Sequence, residues 1–134
     1  MTPHQILQPA SWPRPRGYAN GIAATGTQVF VAGQIGWNAD QQLVGPDLVA
    51  QTAQALHNAL AVLAEAGGGP EHVVRLTWYL TDLSAYRAAG REIGSVYRAC
   101  MGAHYPAMSA VQVAGLVEAG AVVELELTAV IPPA

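Results

Sequence analysis

The segment Asp47–Ala66 places Leu48, Thr52, Leu56, Leu60 and Leu63 at three- and four-residue intervals and then runs into Gly67-Gly68-Gly69. That spacing collects one face of an α-helix, and the glycine run stops it. A second stripe follows in Tyr86, Ala89, Ile93, Val96, Tyr97 and Cys100, which predicts a helix over Ser84–Met101, capped by Asp82 or Ser84 and ended by Gly102. Two helices with one apolar face each must lay those faces on something flat. The rest of the chain supplies it.

Val73–Leu80 alternates, with Val74, Leu76, Trp78 and Leu80 on one side and Arg75, Thr77, Tyr79 and Thr81 on the other. Ala121–Ile131 does the same, entered through a Glu118-Ala119-Gly120 turn, and Met108–Val113 reads as a strand after the extended Tyr105-Pro106. Near the N-terminus, Gly21–Thr25 and Gln28–Gly33 read as two short strands around a Gly26-Thr27 turn, with Trp37–Gly45 a polar loop. The order ββαβαββ predicts an α+β, two-layer domain with both helices on one face of a sheet. Pro3, Pro9, Pro13 and Pro15 predict an irregular lead-in over residues 1–15, leaving 16–134 as a single domain. No internal repeat or low-complexity segment interrupts it.

Composition excludes several classes of function. The net charge is −3, and all six basic residues are arginines that form no run, whereas phosphate-backbone binding needs clustered cations. Nucleic acid is therefore not an expected partner. Cys100 is the only cysteine, which rules out an intrachain disulfide and a cysteine-based zinc site. His4, His57, His72 and His104 have no metal-ligand spacing, so no metal is expected. No apolar run is long enough to span a bilayer, and Met1–Gly17 lacks the apolar core of a secretory signal. The expected compartment is the cytoplasm. With 51% hydrophobic and only 11% charged residues, so small a domain points to further burial between subunits.

One feature of the last strand bears on chemistry. Glu124 and Glu126 share the side opposite Val123, Leu125, Leu127 and Ala129, flanked by Val122 and Val130. Either that side is a solvated outer face, or another subunit covers it, in which case desolvation tunes a carboxylate for proton exchange near neutral pH. There is no GxSxG, no GxGxxG and no phosphate loop, since Gly67–Gly69 follows a helix rather than preceding one. With no cofactor loop and no recognisable nucleophile, no cofactor is expected. Any reaction must rest on positioning and proton transfer.

Gly17-Tyr18, Val31-Ala32-Gly33-Gln34-Ile35-Gly36, Asp82-Leu83, and Tyr105-Pro106-Ala107-Met108-Ser109-Ala110-Val111 followed by Glu124-Leu125-Glu126 resemble the signatures of the YjgF/RidA family of imine and enamine deaminases. The resemblance runs from about Arg16 to Ile131. It implies a chorismate-mutase-like fold, a homotrimer with clefts between subunits, and a small-molecule ligand. In the family's deaminases water attacks an imine carbon and ammonia leaves. Mapped by motif, the catalytic pair is Glu124, which orients or activates the water, and Tyr18, which contacts the substrate. Gly33 and Gln34 supply backbone hydrogen bonds beside Ala107. The position of the family's carboxylate-gripping arginine falls on Met108, so the resemblance implies a substrate other than a simple 2-imino acid. Met108 is then either a core gap-filler or a wall of the cleft. Arg16, two residues from Tyr18, would replace the lost cation if the segment were extended. The alternatives are a non-catalytic binding trimer and, against the acidic balance, a ribonuclease or translation inhibitor.

Overall fold

The computed structural model describes residues 1–134. Its elements are β1 (Gln5–Leu7), β2 (Gly21–Ala23), β3 (Thr27–Ile35), α1 (Leu48–Ala64), β4 (Val73–Leu80), α2 (Leu83–Ala88), α3 (Gly90–Met101), β5 (Ala107–Gln112) and β6 (Val123–Ile131), with a single 3-10 turn at Pro70–His72. Four strands form a mixed sheet in the order β3-β6-β4-β5. β6 is antiparallel to both of its neighbours, and β4 and β5 are parallel. The helices cover one face, giving the two-layer α+β, chorismate-mutase-like architecture that the alternating segments predict.

Local signals account for the two clearest elements. Asp47 accepts the backbone N–H of Ala50 as N-cap of α1. Gly67 closes the helix with a left-handed φ of 79°, its N–H returning to Ala64 and that of Gly68 to Leu63. β4 spans the residues its alternation predicts, and Leu76, Trp78 and Leu80 are buried beneath the helices. They join Leu56, Leu63, Ile93, Tyr97, Val123, Leu125 and Leu127 in one core. Trp78 meets Tyr86 edge-on at 5.7 Å.

Three expectations are corrected. β2 does not form a hairpin with β3; it pairs with β1, so part of the proline-rich lead-in is a strand after all. The edge of β3 is taken by β6 instead, whose Ala129 and Leu127 pair with Val29 and Val31. The second helix is broken at Ala89, which leaves helical geometry at φ −94° and ψ 14° just before Gly90. Glycine lacks the helix propensity to carry the chain straight through.

Buried amides lock the helix layer to the loops. Gln51 is fully buried; its Nε2 donates to the carbonyls of Gly45 and Gly120 at 2.8 and 3.0 Å, and its Oε1 accepts the Val122 N–H at 2.9 Å. Asn58 donates to Ile35 and Trp37 while accepting from Gln54. Neighbouring Thr52 is equally buried, but its hydroxyl has no partner. His104 sits under the edge of β4, with Nε2 2.7 Å from the Val73 carbonyl, and its own carbonyl accepts the Tyr97 hydroxyl.

Gln51→Leu keeps the volume but removes three hydrogen bonds to part-buried backbone groups, each worth about 0.5–1.5 kcal/mol. A loss of roughly 2–3 kcal/mol and a melting temperature lower by about 5–10 °C are expected in thermal unfolding. Burial pushes the His104 imidazole below its ordinary value of 6.5. The unfolded chain therefore takes up a proton that the folded chain resists. The stabilisation is complete above that value and declines as pH falls through it toward the folded value. Melting scans from about pH 7.5 down to about pH 5 should show this decline, and His104→Gln should flatten it.

Candidate functional site

β6 threads between β3 and β4, and that placement sets the surroundings of Glu124. The register of β3 on β6 shifts between Val31 and Gln34, a bulge that falls on Ala32 and Gly33. A Cβ at Gly33 would stand 2.7 Å from Glu124 Cδ and 2.9 Å from Cγ and Oε2. Gly33 is thus the floor on which the Glu124 carboxylate lies, and a side chain there would displace it. Gln34 turns its amide back to the Ala32 carbonyl at 3.1 Å, bracing the bulge.

On the other flank Tyr79 of β4 is the register partner of Glu124, and Thr77 that of Glu126. The Tyr79 hydroxyl donates diagonally to Glu126 Oε1 at 3.1 Å. This hydrogen bond, and then the negative charge of Glu126, push the Tyr79 phenol above its ordinary value of 10.0. Glu126 is exposed and Glu124 half-buried. The Glu124 carboxylate receives no hydrogen bond from any protein group. Glu126 has one oxygen held by Tyr79, whereas both oxygens of Glu124 are open to a bound molecule.

The remaining predicted residues lie elsewhere. Ala107 opens β5 opposite Arg75, and Ala19 bridges to it, its N–H donating to Pro106 at 3.0 Å. Tyr18 is therefore held at the outer edge of β5, and β4 and β5 stand between it and β6. Met108 is in register with buried Leu76 and packs half-buried against the core. Within one chain it lies on the helix side of the sheet, opposite the face that carries Glu124. The extended geometry expected between Arg16 and Tyr18 is corrected. Gly17 adopts a left-handed φ of 78°, so the segment is bent and alternation does not align Arg16 with Tyr18. Arg14, not Arg16, joins Tyr18 in lining an open groove of about 1060 Å³, with Glu71, Cys100, His104 and Tyr105 on its far wall.

The sequence reading missed Tyr79 as anything more than an outer-face residue, because only the β4–β6 register reveals that it stands against the glutamates. No group of three His, Cys, Asp or Glu side chains is close enough to hold a metal ion. No helix is long and apolar enough to cross a membrane.

Comparison with known proteins identifies the family. Residues 12–131 match the family model described as endoribonuclease L-PSP. A RutC family protein of Synechocystis is 37% identical over 131 residues, covering 96% of this chain and 97% of the relative. A goat protein named 2-iminobutanoate/2-iminopropanoate deaminase is 32% identical over 130 residues, covering 96% and 91%. Among solved structures, the Rid family protein YyfB of Yersinia pestis superposes with a TM-score of 0.85 at 33% identity, covering 96% of this chain and 98% of that one. The chain belongs to the Rid (YjgF/RidA, endoribonuclease L-PSP) family.

Proposed function

We propose that this protein hydrolyses a reactive imine or enamine without a cofactor, with Glu124 as the proton-transferring group. The observation that carries the reading is the Glu124 carboxylate, unpartnered and laid over Gly33. The goat relative's name supports the reaction class. In the proposed step, the carboxylate takes a proton from water as the oxygen bonds to the imine carbon, and the imine nitrogen takes up a proton. The resulting carbinolamine loses ammonia as its C–N bond breaks, and its hydroxyl proton departs as the carbonyl forms. Water and imine become carbonyl compound and ammonia, with no redox change. In a single chain Arg75 is the basic residue on the same face, and it lies four residues along β4 from Tyr79, about 13 Å by strand rise. The carboxylate of a 2-imino acid is one bond from the reacting carbon, so an uncharged or apolar imine suits the site better.

The reading includes a homotrimer. Tyr18 and Glu124 are two strands apart in one chain, so a cleft using both requires a second copy. Phe30, 72% exposed, lies on β3 beside β6. An aromatic left so open on a sheet is suited to burial between subunits. Native mass spectrometry should give three times the chain mass, and Phe30→Asp should shift the population toward monomer. The endoribonuclease name of the family model motivates a second reading. Against it stand six scattered arginines and a net charge of −3.

The experiment that tests the proposal generates imines in situ with amine and amino-acid oxidases and follows their loss. The protein should accelerate hydrolysis, uncharged imines more than 2-imino acids. Glu124→Gln should lower the rate by about 10²-fold or more, and Gly33→Ala should lower it with little change in folding. Equal turnover by Glu124→Gln would remove the assignment. Metal-free cleavage of RNA by the same preparation would favour the second reading.

A further inference from the structure

The two glutamates of β6 are chemically identical and share one face, yet the structure treats them differently. Glu126 is engaged by the Tyr79 hydroxyl at 3.1 Å. Glu124 is engaged by nothing and rests against the Gly33 bulge. The Tyr79 backbone stands directly opposite Glu124 while its hydroxyl reaches Glu126, so the ring spans the gap between the two carboxylates. We infer that Tyr79 is a positioning residue of this site: its phenol holds one oxygen of Glu126 and offsets its charge, leaving Glu124 as the carboxylate with both oxygens open to water.

The inference rests on the proposed role of Glu124 and adds what makes that residue, rather than its neighbour, the working one. Residues two apart on a strand lie roughly 7 Å from each other. At that spacing two unsecured carboxylates compete for the same water and raise each other's affinity for a proton. A phenol donating to one of them offsets part of its charge and fixes its orientation. The Tyr79 phenol, with an ordinary value of 10.0 that this contact raises, is protonated and donates throughout the neutral range. The other groups facing this region do not take over the task. Thr77 and Thr128 are not titratable, Arg75 makes no ion pair with either glutamate, and β3 presents Gly33 to Glu124 and Phe30 opposite Thr128.

The test compares pH profiles of imine hydrolysis for the wild-type protein, Tyr79→Phe, Glu126→Gln and the double variant, with Glu124→Gln as reference. Tyr79→Phe keeps the ring and removes one hydrogen bond. It should lower kcat roughly two- to tenfold with KM little changed, and move the acid limb of kcat/KM to higher pH. Glu126→Gln removes the neighbouring charge and should move the same limb to lower pH by about half a unit. In the double variant the loss of the hydroxyl should have no further effect on that limb. The opposite signs are the signature, because a phenol that merely supported the fold would change the melting temperature and leave the pH profile in place. An unmoved acid limb in Tyr79→Phe, alongside an inactive Glu124→Gln, would overturn the positioning role and leave the proposed function intact. Full activity in Glu124→Gln would overturn both.

Discussion

The placement of β6 depends on one amide. Gln51 projects from α1 into the seam between helix and sheet, where its side chain answers Gly45, Gly120 and Val122 at once. These groups belong to the loop leading into α1 and to the turn that feeds β6 into the sheet. The amide itself is fully buried, and each of these half-covered or exposed backbone groups finds its partner in it. The contact at Val122 is one residue ahead of the strand and fixes where it starts. A slip of one residue would turn Glu124 and Glu126 inward and Leu125 outward. The outer-face chemistry is thus set from the opposite side of the sheet.

The same logic holds at the end of β3. Asn58 grips the carbonyls of Ile35 and Trp37, itself steadied by Gln54, and fixes the strand just beyond the bulge at Gly33. With one strand pinned after its bulge and its neighbour pinned before its start, Gly33 and Glu124 are brought into contact with little freedom to drift. Such preorganisation lets a carboxylate act on water without reorganising first. Tyr79, rooted in the inner strand β4, completes the arrangement from the other flank.

The chain divides its candidate residues between two regions. Glu124, Glu126, Gly33 and Tyr79 gather on the outer face around β6. Tyr18 and Arg14 lie by the groove beneath the N-terminal segment, beyond β5. An exposed Phe30 and a carboxylate without a protein partner are both unfinished features in a lone chain. Association of copies, as proposed above, would complete both through the same contact.

Local pattern alone determined a good part of this protein. The Asp47 cap, the Gly67 stop, the bounds of β4 and the inward alternation of Val123, Leu125, Leu127 and Ala129 follow from backbone geometry and side-chain period, which act over a few residues. The motif residues from Gly17 to Glu126 likewise carry the family resemblance in the sequence alone. The tertiary structure decided what period cannot carry: which strand neighbours which, and what each face meets. It gave β2 to β1, split the second helix at Ala89, turned Met108 to the core and bent the chain between Arg16 and Tyr18. It also made Gln51, which the apolar pattern does not single out, into the buried staple. Only the register of β4 on β6 could set Tyr79 against Glu126 and so distinguish Glu124 from its twin, because the two residues lie 47 positions apart in the chain and meet only in the folded sheet.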